Sequence, residues 1–231
     1  MDRTLKSLSV LLTYPTGTLQ AAIPEIAGVL AADTRLIAAV RGALLALADE
    51  IQSADIYDLE ERYVAIFDRS RTLSLNLFEH VHGESRDRGS AMVSLMETYR
   101  AGGFEPVTSE LPDHLPVLLE FLATRSFAEA RSTLADAAHI FEALRERLAR
   151  RESRYASAFA ALLQLSGTEA NTQAVAELLG EPEPDPNDLA ALDAVWEESE
   201  VRFAPDPNAG CPAARNMVAR MTPPPRPNPS E

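Results

Sequence analysis

Residues 126–148 read SFAEARSTLADAAHIFEALRERL, and this stretch decides the fold class. Ser126 followed three residues later by Glu129 is a capping box, a reciprocal side-chain signal that opens a helix. Phe127, Leu134, Phe141 and Leu148 then recur every seven residues, with Ala130, Ala137 and Leu144 between them. That spacing places one apolar stripe on a helix. The repeat lasts about three heptads, short for a coiled coil, so the stretch reads as a single helix of a bundle.

The prolines extend this reading in both directions. None lies between Pro24 and Pro106 or between Pro116 and Pro182, and 11 of the 16 lie at Pro182 or later. Proline disrupts helix interiors, so the two proline-free stretches are where long helices fit. Leu5, Leu8 and Leu12 mark one face of a first helix. Asp33 is placed to cap a helix carrying Ile37, Val40, Leu44, Leu47 and Ile51. Asp55 caps the next, with Leu59, Tyr63 and Ile66 on its inner face. Ala91, Leu95 and Tyr99 form a further stripe that stops at Gly102-Gly103. Tyr155, Phe159 and Leu162 begin another helix, and Leu189, Leu192 and Trp196 suggest a short last one beyond a proline-rich linker, Glu181–Asp188. No convincing strand alternation or internal repeat is visible. The expected fold is all-α, a single bundle of eight to ten helices over residues 1–203. A proline-rich tail over residues 204–231 is expected to be disordered.

Composition narrows the function. Hydrophobic residues make up 46% of the 231 positions and aromatics only 6%. Alanine and leucine, the strongest helix formers, supply most of the apolar mass. The net charge of −14 opposes binding to phosphate backbones and to anionic membrane surfaces, and it suits a cationic peptide. No apolar run approaches the ~18 residues of a membrane span, so neither nucleic acid nor membrane insertion is expected. Cys211 is the lone cysteine, which excludes an internal disulfide and fits a cytoplasmic setting.

Two segments carry candidate chemistry. The first, Phe67–Ser90, reads FDRSRTLSLNLFEHVHGESRDRGS. It opposes Asp68, Glu79, Glu84 and Asp87 with Arg69, Arg71, Arg86 and Arg88. Charges this dense and balanced are expected to pair and to fix a helix-to-helix corner around Gly83, with Ser85 as the next N-cap. His80 and His82 are two residues apart, and a helix would aim them in different directions, whereas ligands on one helical face need a spacing of three or four. A small helical metal-dependent hydrolase using His80, His82 and Glu84 is therefore the weaker reading. The chain has no nucleophile elbow, no phosphate loop and no dinucleotide fingerprint. The second segment, Glu110-Leu-Pro-Asp-His-Leu-Pro116, precedes an apolar run to Leu122. Pro112 suits a first helical turn, while Glu110 and Asp113 either serve the helix dipole or form an acidic lip.

Taken together, FEHVHGESRDRG at Phe78–Gly89, ELPDHLP at Glu110–Pro116, RESRYA at Arg151–Ala156 and LDAVWEE at Leu192–Glu198 resemble the NarJ/NarW-type nitrate reductase molybdenum cofactor assembly chaperones. That family is similar to the wider TorD-like group of all-helical chaperones. The resemblance covers about Leu5 to Phe203. It implies a cytoplasmic, non-catalytic protein with no permanently bound cofactor. Such a protein binds the apo catalytic subunit of respiratory nitrate reductase and assists insertion of the molybdenum bis-pterin guanine dinucleotide. It delays docking on the membrane subunit and stays out of the final enzyme. A structural subunit retained in the finished complex is the competing reading. The client's N-terminal segment is expected to lie in a groove between the Phe67–Gly83 corner and the Leu115–Leu122 helix. Glu79, Glu84, Glu110 and Asp113 would form a negative lip beside His80, His82 and His114. Arg86 and Arg88 would hold the corner through Glu79, Glu84 or Asp87, or pair with client carboxylates.

Overall fold

Short polar side chains open the helices where local chemistry requires them. Asp2 accepts the N–H groups of Thr4 and Leu5, Thr16 that of Leu19, Asp55 that of Tyr57, and Ser126 that of Glu129. The computed structural model describes residues 1–82 and 86–180, the side chains of His82, Arg86 and Asp87 excepted. Among them are α1 (Arg3–Leu11), α2 (Gly17–Ala32), α3 (Ala38–Ser53), α4 (Ile56–Tyr63), a π-helical turn (Val64–Asp68) and a 3-10 turn (Arg71–Leu73). There follow α5 (Leu77–His82), α6 (Arg86–Ala101), α7 (Leu115–Ala123), α8 (Phe127–Asp136), α9 (Ala138–Arg150), α10 (Ala156–Ser166) and α11 (Thr172–Gly180). The described residues hold no β-strand, only an isolated antiparallel bridge between Asn76 and His114. The all-α expectation is met among the described residues, which hold eleven α-helices where eight to ten were expected. None of these helices is long and apolar enough to cross a membrane.

Leucine and alanine fill the interior. Helix α10 packs on α3, α8 and α9, while α1 packs on α2 and α7. Leu5, Leu8 and Leu12 are fully buried, as are Leu134, Phe141, Leu144, Leu148, Phe159 and Leu162. Each buried leucine or phenylalanine contributes about 2 kcal/mol of transfer free energy. The RESRYA turn joins α9 to α10, with Glu152 at φ 54° and the Ser153 N–H donating to the Leu148 carbonyl. It also fastens distant elements. Arg154 pairs with Glu50 of α3 at 2.7 Å. The Tyr155 ring meets Tyr63 and Phe67 edge-on, with centroids 6.3 and 5.0 Å away.

Four local expectations are corrected. The heptad stretch is two helices, because the chain turns at Ala137 between α8 and α9. The stripe is kept across the break, except that Phe127 is 39% exposed, with the Arg35 guanidinium 4.7 Å over its ring. Pro24 lies inside α2 instead of bounding a helix. Pro112 precedes its helix, and Pro116 occupies the first turn of α7. Asp33 does not cap α3, which starts without a side-chain cap after Ile37. Its carboxylate instead accepts Arg35 and the Thr4 hydroxyl. The proline-rich linker, the Leu189–Trp196 helix and the tail over residues 204–231 lie outside the described residues.

The Asp33 site gives a measurable acid response. The hydrogen bond from Arg35, above all, holds its carboxyl at about 2, below the unfolded value. A carboxyl depressed in this way stabilises the fold above the unfolded pKa, and that contribution is lost as pH falls through about 2. The guanidinium is 34% exposed, so screening leaves roughly 1 kcal/mol. Urea unfolding of Asp33→Asn is expected to show that deficit at pH 6 and none at the acid end. An equal deficit at both would reject the assignment.

Candidate functional site

The segment Ser74–Leu77 meets the segment Asp113–Leu115 in the one isolated β-bridge among the described residues. The Leu77 N–H donates to the Asp113 carbonyl at 3.1 Å, and the Leu115 N–H donates to the Leu75 carbonyl at 2.8 Å. Asp113 Oδ2 accepts the Phe78 N–H at 2.9 Å. The side chain that sequence reading assigns to its own helix thus caps α5, 35 residues away in the chain. Tyr99 of α6, fully buried, donates its hydroxyl to the Pro112 carbonyl at 2.7 Å. His80 Nε2 donates to the Ser74 carbonyl at 2.8 Å and closes the loop before α5. Below the bridge, Arg147 of α9 is 1% exposed. It donates to the Thr72 carbonyl at 2.8 Å and to the Leu178 carbonyl, tying the 3-10 turn and α11 to the core.

Along extended backbone, successive side chains point to opposite sides. His114 and Asp113 consequently line two different clefts. His114 belongs to a cleft of about 750 Å³ that also takes Tyr14, Tyr63, Asp68, Phe104, Val107, Glu110, Val117 and Glu120. The π turn that ends α4 carries Asp68 into this cleft. Burial, reinforced by the Glu110 charge, raises the Asp68 pKa, while His114 acts in the opposite sense. Burial lowers the His114 pKa against the pull of Glu110 and Asp68. Glu120 is paired with Lys6. Val107 is fully exposed and Leu111 is 45% exposed on the 104–111 loop. The cleft therefore combines aromatic and aliphatic walls with a concentration of carboxylates.

Asp113 lines the second cleft, about 190 Å³, with Leu77, Phe78, Val81, Leu95, Leu118 and Ile140 among its walls. This cleft lies between α5 and α7, with α6, α8 and α9 completing its walls. Beside it Arg88 pairs with Glu79 at 3.0 Å, each side chain 21% exposed. Burial acts to raise Glu79, but hydrogen bonds from Ser74 and Arg88, together with the Arg88 charge, hold its pKa below the ordinary value.

The 113–118 segment thus lines two separate clefts, one acidic and one largely apolar. Glu79 and Arg88 brace the corner as expected. Glu110 and His114 face the acidic cleft. Asp113 is 1% exposed and forms no solvent-facing lip: one of its carboxyl oxygens caps α5. Glu84 lies outside the described residues, as do Ser85 and the side chains of His82, Arg86 and Asp87. His80 is engaged in the loop clamp, and no group of three metal-ligating side chains occurs among the described residues. Sequence reading missed Asp68 as a cleft residue, along with Tyr14, Tyr63 and Val107. The sequence places Asp68 in the charge-balanced cluster, and the π turn that carries it into the cleft leaves no periodic trace.

The described residues thus form a helical scaffold with an acidic cleft and an apolar cleft on either side of one bridge. The chain belongs to the nitrate reductase delta subunit family, whose description matches residues 33–161. It is 43% identical over 203 residues to the nitrate reductase molybdenum cofactor assembly chaperone NarJ of Escherichia coli K12, spanning 88% of this chain and 86% of that protein. It is 37% identical over 207 residues to the probable chaperone NarW of the same strain, spanning 90% and 86%. The probable NarJ of Bacillus subtilis is 32% identical over 160 residues, spanning 69% and 86%.

Proposed function

We infer that this chain is a nitrate reductase molybdenum cofactor assembly chaperone. The observation that carries this reading is the 43% identity extending over 88% of the chain. It holds the apo catalytic subunit of the reductase and keeps it open to insertion of the molybdenum bis-pterin guanine dinucleotide. It acts in the cytoplasm, delays docking on the membrane subunit, catalyses no reaction and leaves the finished enzyme. The client's N-terminal segment binds as an amphipathic helix, its apolar face on the cleft walls. Its basic residues face Asp68 and Glu110, which the overall charge of −14 reinforces at longer range. No observation favours the hydrolase reading. Release requires only that the loaded client bind more weakly than the empty one.

A pull-down of the tagged chain from nitrate-grown cells, with and without molybdate, tests this. The catalytic subunit is expected chiefly in the molybdenum-starved sample. Equal recovery of cofactor-loaded, membrane-bound reductase would instead identify a retained structural subunit.

A further inference from the structure

One wall of the acidic cleft is a loop. Residues 104–111, between α6 and α7, supply Phe104, Glu105, Pro106, Val107, Thr108 and Glu110 to its lining. Val107 belongs to that lining and is nevertheless fully exposed, so its side chain packs against nothing. Leu111 of the same loop and Tyr14, which also lines the cleft, are exposed as well.

The loop is firm at its roots and unattached between them. Gly103 leaves α6 at φ 71°, a left-handed conformation open to glycine. The Phe104 N–H donates to the Tyr99 carbonyl at 2.9 Å, and the two rings meet edge-on with centroids 5.4 Å apart. At the far end the Tyr99 hydroxyl donates to the Pro112 carbonyl. One buried residue thus clasps both ends. Among the described residues, the hydrogen bond made by residues 105–110 runs from the Glu110 N–H to Thr108 Oγ1, inside the loop itself. A segment with exposed backbone and no bonds to its surroundings moves at little cost to the core.

The cleft beside the loop defines what it would cover. Asp68 and Glu110 contribute negative charge, while Tyr14 and Val107 contribute apolar surface. That pairing complements a basic amphipathic helix, whose cations meet the carboxylates and whose apolar face meets the rim. We propose that residues 104–111 form a strap that closes over such a helix of the client, with Val107 as the gripping side chain and Tyr99 as the clasp of both roots. The identity of the occupant rests on the chaperone reading above, while closure rests on how the loop is held. Because Val107 engages only after the helix has entered, the strap slows release and leaves entry unchanged.

The test follows dissociation of a synthetic peptide carrying the client's N-terminal segment from the full chain, by surface plasmon resonance, alongside amide exchange of the complex. Val107→Ser is expected to release the peptide about tenfold faster at an unchanged association rate, the effect of losing one buried valine side chain. Val107→Leu is expected to restore the parent rate. Thermal unfolding should be the same in all three, because the side chain touches nothing in the free protein. Amides at Val107–Ser109 should exchange at least tenfold more slowly in the complex than in the free chain. Either an unchanged release rate for Val107→Ser or loop amides that exchange equally fast in both states overturns the strap and leaves the chaperone reading intact. A peptide that fails to bind the unmodified chain overturns the strap and the N-terminal-segment reading together.

Discussion

The double variant Asp68→Lys, Glu110→Lys is expected to bind the client's N-terminal segment about 100-fold more weakly than the unmodified chain, roughly 3 kcal/mol. The two carboxylates line the same cleft, and the Glu110 charge adds to the cost of charging Asp68 there. A basic peptide relieves that repulsion on binding, whereas two lysines oppose it. Titrations at rising salt should show the unmodified affinity falling and the variant's changing less, because screening weakens attraction between exposed charges. Thermal unfolding of the variant serves as the control for folding. Unchanged affinity in a folded variant would move the peptide out of the acidic cleft.

The larger effect on stability is expected at Arg147. Arg147→Leu should lower the unfolding free energy by about 3 kcal/mol, read from the urea midpoint at constant slope. The cause is local and identifiable. The Thr72 and Leu178 carbonyls each lose a donor inside the core, and an unsatisfied buried acceptor costs about 1–3 kcal/mol. Part of the loss is offset because a buried guanidinium carries a desolvation penalty that leucine lacks. Amide exchange should quicken first in α11, whose Leu178 carbonyl that guanidinium holds. A midpoint unchanged from the parent would show that the leucine side chain repays what the guanidinium supplies.

These two positions show which kinds of residue the sequence could disclose. The charge-balanced corner was legible, and Glu79 does pair with Arg88, because residues nine apart across one turn meet with little help from elsewhere. Arg147 was not legible. It sits in the charged run of α9 beside Arg145 and Arg150, which pair at the surface with Glu142 and Glu146. Only the packing of α11 and the 3-10 turn over α9 turns this one arginine inward. Asp68 was read as one member of a neutral charge cluster, and the π turn carries it into the acidic cleft.

Read alone, the sequence determined the all-helical class and several of the helix ends. Asp55, the Ser126–Glu129 box and the Gly102-Gly103 stop act within one turn of backbone, and the leucine and alanine periodicity is a property of the helix itself. Tertiary structure decided the break at Ala137, the engagement of Asp33 by the Thr4 hydroxyl of α1, and the opening of two clefts on either side of the bridge. The physical reason is range. A cap or a stripe is settled by neighbours three or four residues away. The side to which Asp113 and His114 point is settled by a bridge to Asn76, and the partner that Asp113 satisfies lies on another helix.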